Sequence, residues 1–71
     1  FFIAHTAGSR LSVSFNELAH RSLALFTVDG RMVGTAEGYG SSYNVPLIGS
    51  SGIFLLRVLK DNLIQTYKIG I

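Results

Sequence analysis

Two strongly apolar runs, IFLLRVLK at Ile53–Lys60 and LIQTYKIGI at residues 63–71, are separated only by Asp61 and Asn62. Two residues leave room for nothing but a reversal, and both tolerate the left-handed backbone that a tight hairpin turn demands. The runs therefore form an antiparallel hairpin whose apolar faces the rest of the chain must cover. Strand alternation puts Phe54, Leu56 and Val58 on one face of the first run and Ile53, Leu55, Arg57 and Leu59 on the other. In the second run Leu63, Gln65, Tyr67, Ile69 and Ile71 alternate with Ile64, Thr66, Lys68 and Gly70.

The same period governs the remainder. LSVSF (residues 11–15) alternates Leu11, Val13 and Phe15 with two serines. SLALFTV (22–28) is apolar on both faces, as a central strand would be. Asp29-Gly30 follows and predicts a two-residue type I′ turn with positive φ at both positions, with Arg31 opening the returning strand RMVGTA (31–36). EGYGSS (37–42) and IGSSG (48–52) read as loops by their glycines and serines. Between them lies YNVPL (43–47), where Pro46 confines the strand to an edge or ends it. FFIA opens the chain as a further strand, and FNELAHRSL (15–23) suits a loop or a single helical turn. About seven short strands at this spacing predict an all-β fold, an antiparallel immunoglobulin-like β-sandwich.

Composition narrows the function. With 71 residues the chain is one domain. It has no Cys, so neither a disulfide framework nor a cysteine metal site can help stabilise it. The apolar fraction is 48% and the charged fraction 14%, a balance that favours a two-layer core or an exposed contact patch. Net charge is +2, and Arg10, Arg21, Arg31, Arg57, Lys60 and Lys68 are spread along the chain as ordinary surface charges. They form no basic cluster of the kind that binds nucleic acid. No apolar run reaches the ~18–20 residues of a membrane span. The chain begins at Phe1 rather than Met, as expected of a piece of a longer protein.

Chemistry-bearing constellations are absent from the sequence. His5 and His20 are separated by a strand and lack an acidic cluster, so no metal site is expected. GSSG (49–52) does not have the spacing of a nucleophile elbow. Of the acids Glu17, Asp29, Glu37 and Asp61, two sit in predicted turns, which leaves no carboxylate pair for hydrolysis. GYGSSY (38–43) starts like a dinucleotide fingerprint, but Tyr43 stands where the third glycine belongs. Tyr39, Tyr43 and Tyr67 could present rings to a sugar, although core or rim packing explains them more simply. The chain reads as a non-enzyme without a cofactor.

The order of elements resembles a known family. LFTVDGRMV (25–33) is followed by a Gly/Ser loop, VPL (45–47), SSGIFLLRV (50–58) and QTYKIGI (65–71). This resembles the C-terminal sorting domain of the type IX (Por) secretion system. Asp29, Gly30, Arg31 and Val33 match that family's turn motif; Gly52, Phe54, Leu56, Arg57 and Val58 match its later strand; Thr66, Lys68, Ile69 and Ile71 match its last strand. Phe54 stands where the family has tyrosine, and residues 5–15 lack the family's opening Asn-Pro element.

The resemblance implies a single sorting domain over residues 1–71, cut from a longer exported protein. It directs an upstream cargo across the outer membrane, passing through the periplasm to the cell surface or the extracellular space. Its implied partners are the outer-membrane export machinery and a sortase-like peptidase that removes the domain during surface attachment. The residues implied in recognition are Gly52, Phe54, Ile64, Thr66, Lys68, Ile69, Gly70 and Ile71, with Asp29, Gly30, Arg31, Asp61 and Asn62 forming the turns. Two other functions fit a small β domain of a secreted multidomain protein: a carbohydrate-binding module, with Tyr39 and Tyr43 as its first candidates, and a spacer.

Overall fold

The computed structural model describes residues 2–7, 10–47 and 52–70. They form five strands: β1 (Phe2–Ala7), β2 (Arg10–Thr27), β3 (Met32–Pro46), β4 (Ile53–Lys60) and β5 (Leu63–Gly70). All pair antiparallel in one sheet of order β1-β2-β4-β5, with β3 also on β2. β2 is the hub. β3 runs along it almost end to end, while β1 takes residues 10–15 and β4 takes residues 22–27.

The segments expected as loops turn out to be strand. Residues 16–21 lie inside β2 and residues 37–42 inside β3. The reason is mutual: each segment offers the other a ladder, with Ala19 opposite Gly40, His20 opposite Tyr39 and Arg21 opposite Gly38. Gly38 and Gly40, with φ of 154° and 157°, continue the pairing instead of ending it. What the loop-like composition marks is a bend, because the register shifts between Ser14 and Ala19.

Length makes that bend unavoidable. An extended strand of eighteen residues, the length of β2, would reach roughly 60 Å, yet the longest dimension of the molecule is 30 Å. β3 folds back in the same way. Gly34 and Pro46 lie in one strand, and a Cβ built on Gly34 would fall 2.1 Å from the Pro46 carbonyl oxygen. Straight, those residues would be roughly 40 Å apart. Gly34 is there because no side chain fits between the two passes of backbone.

The bend brings the apolar faces of both ends of the sheet together. Leu11, Val13, Tyr43, Val45 and Leu47 meet Leu23, Leu25, Phe54, Leu56 and Val58 in one buried cluster. Phe15, Val33, Ala36, Tyr67 and Ile69 pack at its margin. Leu11, Val13 and Phe15, and likewise Phe54, Leu56 and Val58, each lie together on one face, as strand alternation expects.

The two turns differ. Asp61 and Asn62 join Lys60 to Leu63 with φ of 52° and 65°, the two-residue geometry that needs positive φ at both positions. The turn at Asp29-Gly30 is not of that type. Only Gly30 has positive φ, 95°, and Val28, Asp29 and Gly30 form a three-residue loop. The Gly30 amide donates to the Thr27 carbonyl at 3.0 Å and the Thr27 amide to the Arg31 carbonyl at 2.8 Å. Such a loop ends on a left-handed glycine; the register shift at Leu25/Phe26 lies further along, beyond the Phe26–Met32 pair. The Thr27 hydroxyl donates to the Asp29 carboxylate and accepts from the Arg31 amide at 3.1 Å, closing the loop from within.

Candidate functional site

The β4–β5 hairpin separates its residues onto two faces. Phe54, Leu56 and Val58 are buried, with Tyr67 and Ile69 half-buried against them. On the opposite face Ile64, Thr66 and Lys68 are exposed, Ile64 to 57%. They stand across from Leu59, Arg57 and Leu55 on β4, which in turn adjoin Ser22, Ala24 and Phe26 on β2. The result is an apolar outward face carrying two cations. Arg57 lies 4.6 Å over the Phe26 ring, so its guanidinium is spread on the surface rather than extended into water. A shallow depression of about 600 Å³ runs here between Ala24, Thr35, Glu37, Arg57, Leu59 and Ile64.

The structure therefore divides the residues implied in recognition. Ile64, Thr66 and Lys68 come together, and Gly70 is exposed beside Ile53. Phe54 and Ile69 lie on the other side of the sheet and face the core. Gly52 is exposed just before β4. Asp29, Gly30 and Arg31 occupy the exposed β2–β3 loop, and Asp61 and Asn62 the exposed β4–β5 turn. Ile71 lies outside the described residues, as do Phe1, the side chain of His5 and residues 48–51 of the second predicted loop.

A second polar group lies at the bend. Arg21, expected as a surface charge, is 3% exposed. It donates to the Gly40 carbonyl at 3.1 Å and the Glu17 carbonyl at 3.3 Å, and its guanidinium sits 3.9 Å from the Phe15 ring centre. Glu17 faces both Arg21, at 3.7 Å, and Lys60, with which it forms a hydrogen-bonded ion pair. The Lys60 ammonium is the main reason the Glu17 carboxyl is held below its ordinary range. Beside it lies a cavity of about 360 Å³ walled by Glu17, Arg21, Lys60, Gln65 and Tyr67. Tyr43 supports the bend from inside, with its hydroxyl 2.8 Å from the Ala19 carbonyl and 2.9 Å from that of Gly38.

Sequence reasoning missed Arg21, but its phase held the signal: it shares parity with Leu23 and Leu25, so alternation points it inward. Nothing in the sequence pairs Glu17 with Lys60, which meet only through the tertiary fold.

The tyrosines do not form a row. Tyr43 is in the core and Tyr67 at its margin, while Tyr39 is 71% exposed. Among the described residues, no group of three or more His, Asp or Glu side chains converges as a metal site would require, and no helix is long and apolar enough to cross a membrane. The chain matches no protein-family model, and a search of curated proteins returns no match.

Proposed function

We propose that this chain is a non-catalytic export and sorting domain of the type IX kind. It is carried by an upstream cargo and read by outer-membrane export machinery on the outward face of the β4–β5 hairpin. One observation carries the reading: Ile64, Thr66 and Lys68 stand exposed in a row while the alternate residues Tyr67 and Ile69 serve the core. A surface built this way can be recognised without its side chains being needed to hold the fold. In this reading the domain crosses the periplasm with its cargo, and a sortase-like peptidase then removes it at the cell surface. The agreement of turn and strand motifs with the sorting family supports the same assignment.

The bent sheet is read here as an immunoglobulin-like sandwich. Counting β2 and β3 as two segments each, on either side of the bend, gives seven strand segments. Segments 10–14 and 42–46 with β1 form one layer, and segments 19–27 and 32–40 with β4 and β5 form the other. The shared burial of Val13 and Val45 with Leu25 and Leu56 supports this arrangement.

The experiment fuses a reporter cargo to the chain in a type IX-competent host. Ile64→Ala combined with Lys68→Ala is expected to fold as the parent does and to leave cargo in the periplasm. A folded double variant that still delivers cargo to the surface at the parental level would refute the reading.

A further inference from the structure

An edge strand presents a row of unpaired amides and carbonyls, and proteins usually guard it with prolines, bulges, charges or short length. Among the described strands, β1, β3 and β5 each pair on one side only, β1 and β3 with β2 and β5 with β4, and β1 is the shortest at six residues. The edge of β3 is guarded: it bends at Gly38 and Gly40, shifts register near Met32 and ends at Pro46. The edge of β5 has only one of these devices, a single charge. It pairs with β4 without interruption from Leu63 to Gly70, contains no proline, and carries Lys68 as its one charge.

The tight turn fixes which of its backbone groups face outward. Residues flanking a two-residue hairpin loop, here Lys60 and Leu63, exchange both hydrogen bonds, and the pattern then alternates along the ladder. Leu63, Gln65, Tyr67 and Ile69 thus direct their backbone groups at β4. Ile64, Thr66, Lys68 and Gly70 direct theirs away from it.

We infer that this edge pairs with the same edge of a second copy, antiparallel, with Thr66 on the two-fold axis. That register opposes Ile64 and the partner's Lys68, and Leu63 and the partner's Ile69. It uses only outward-directed amides for the bridging bonds and keeps like residues on like faces of the joined sheet. The two Lys68 ammonium groups stay about four residues apart along the ladder, roughly 13 Å. Shifting the register by two in the direction that centres on Tyr67 would make them diagonal neighbours, which is unfavourable for like charges. The pairing also covers Leu63, which is 62% exposed in the single chain. This inference is independent of the export reading, since it concerns the backbone edge rather than the outward side chains.

Amide hydrogen exchange on the intact chain tests it. Raising protein concentration from micromolar to millimolar should slow exchange at Ile64, Thr66 and Lys68 by about tenfold or more, while Gln65 and Tyr67, already bonded to β4, stay unchanged. Sedimentation should show a dimer over the same range. Thr66→Pro deletes an amide that the single chain does not use, so the fold should persist and the dimer vanish. Should that variant not fold, Ile64→Lys, which sets a second ammonium against the partner's Lys68, should weaken association instead. A chain that stays monomeric, with concentration-independent exchange at these three amides, would overturn the inference. A dimer that both variants leave intact would overturn it as well.

Discussion

The Arg21 guanidinium lies 3.9 Å from the centre of the Phe15 ring, on the inner side of the bend in β2. One cation thus ties together the residues on either side of the register shift, because it also bonds the Gly40 and Glu17 carbonyls. Its burial is tolerable because those carbonyls, the ring and the Glu17 carboxylate replace much of the water it gave up. Arg21→Met keeps most of the volume but leaves the carbonyls without their donor. It is expected to lower stability by about 2–4 kcal/mol. Each kcal/mol is about 4–8 °C in a domain this small, so thermal melting resolves the effect. Phe15→Leu removes only the stacking and part of the packing, and should cost about half as much. Melting of Arg21→Met within a few degrees of the parent would show that the bend is held by other contacts.

Among the described glycines, Gly34 is the one least tolerant of a methyl group. Gly34→Ala places a carbon against the backbone of Pro46, which cannot swing aside as a side chain would. A loss of about 3 kcal/mol or more is expected. Gly30→Ala meets open space and suffers only the strain of a left-handed alanine, about 1 kcal/mol. Denaturant titration of the two variants side by side should give this order, and the reverse order would contradict the close approach of the two passes of β3.

Tyr43→Phe removes a single oxygen that serves the carbonyls of Ala19 and Gly38. The ring still fills its place, so the expected cost is the hydrogen-bonding term alone, about 1–2 kcal/mol. Deletion of the ring in Tyr43→Ala should cost more, about 3–5 kcal/mol. Equal midpoints for the parent and Tyr43→Phe would mean that water satisfies those carbonyls.

Glu17 ties pH to the same region. Its carboxyl titrates below its ordinary value, chiefly because of the Lys60 hydrogen bond and charge. A depressed acid favours the folded state at pH above the ordinary carboxylate range. That contribution fades as pH falls through the lowered value, where both states become protonated. Carbon-detected NMR titration should place the Glu17 midpoint below that of an unpaired glutamate, and Lys60→Ala should move it upward. An unmoved midpoint in Lys60→Ala would show that the pair does not persist in solution. Salt should have the same direction of effect, since the pair is exposed.

Much of the fold was legible because the buried residues obey a period of two. Leu11, Val13, Phe54, Leu56 and Val58 all lie where alternation puts them. Less legible were the places where backbone pairing overrode composition. Glycine, serine and tyrosine at residues 37–42 read as loop, yet residues 19–21 supply a ladder that keeps Gly38, Tyr39 and Gly40 extended. The type of the Asp29-Gly30 turn was misjudged because a DG pair suits both two- and three-residue loops. The Thr27 hydroxyl, bonded to Asp29 and Arg31, helps hold the longer one. The outward row on β5 could be read from phase alone. The Glu17–Lys60 pair could not, since it depends on how far the sheet bends.

β2 runs through the bend without a break and lends its edges to β1, β3 and β4 in turn. Apart from β5, which pairs with β4, no described strand can detach without stripping a partner from this one segment. Unfolding is therefore expected to be all-or-none, with calorimetric and van't Hoff enthalpies in agreement. The pairings of β2 with β4 join residues far apart in sequence, such as Ser22 and Leu59, so the chain closes large loops before its centre is complete. Refolding should accordingly be slow for a chain of this length, in the millisecond-to-second range rather than microseconds. Until β4 docks, residues 22–27 of the central strand have one side bare, and that interval is when the molecule is most exposed to mispairing.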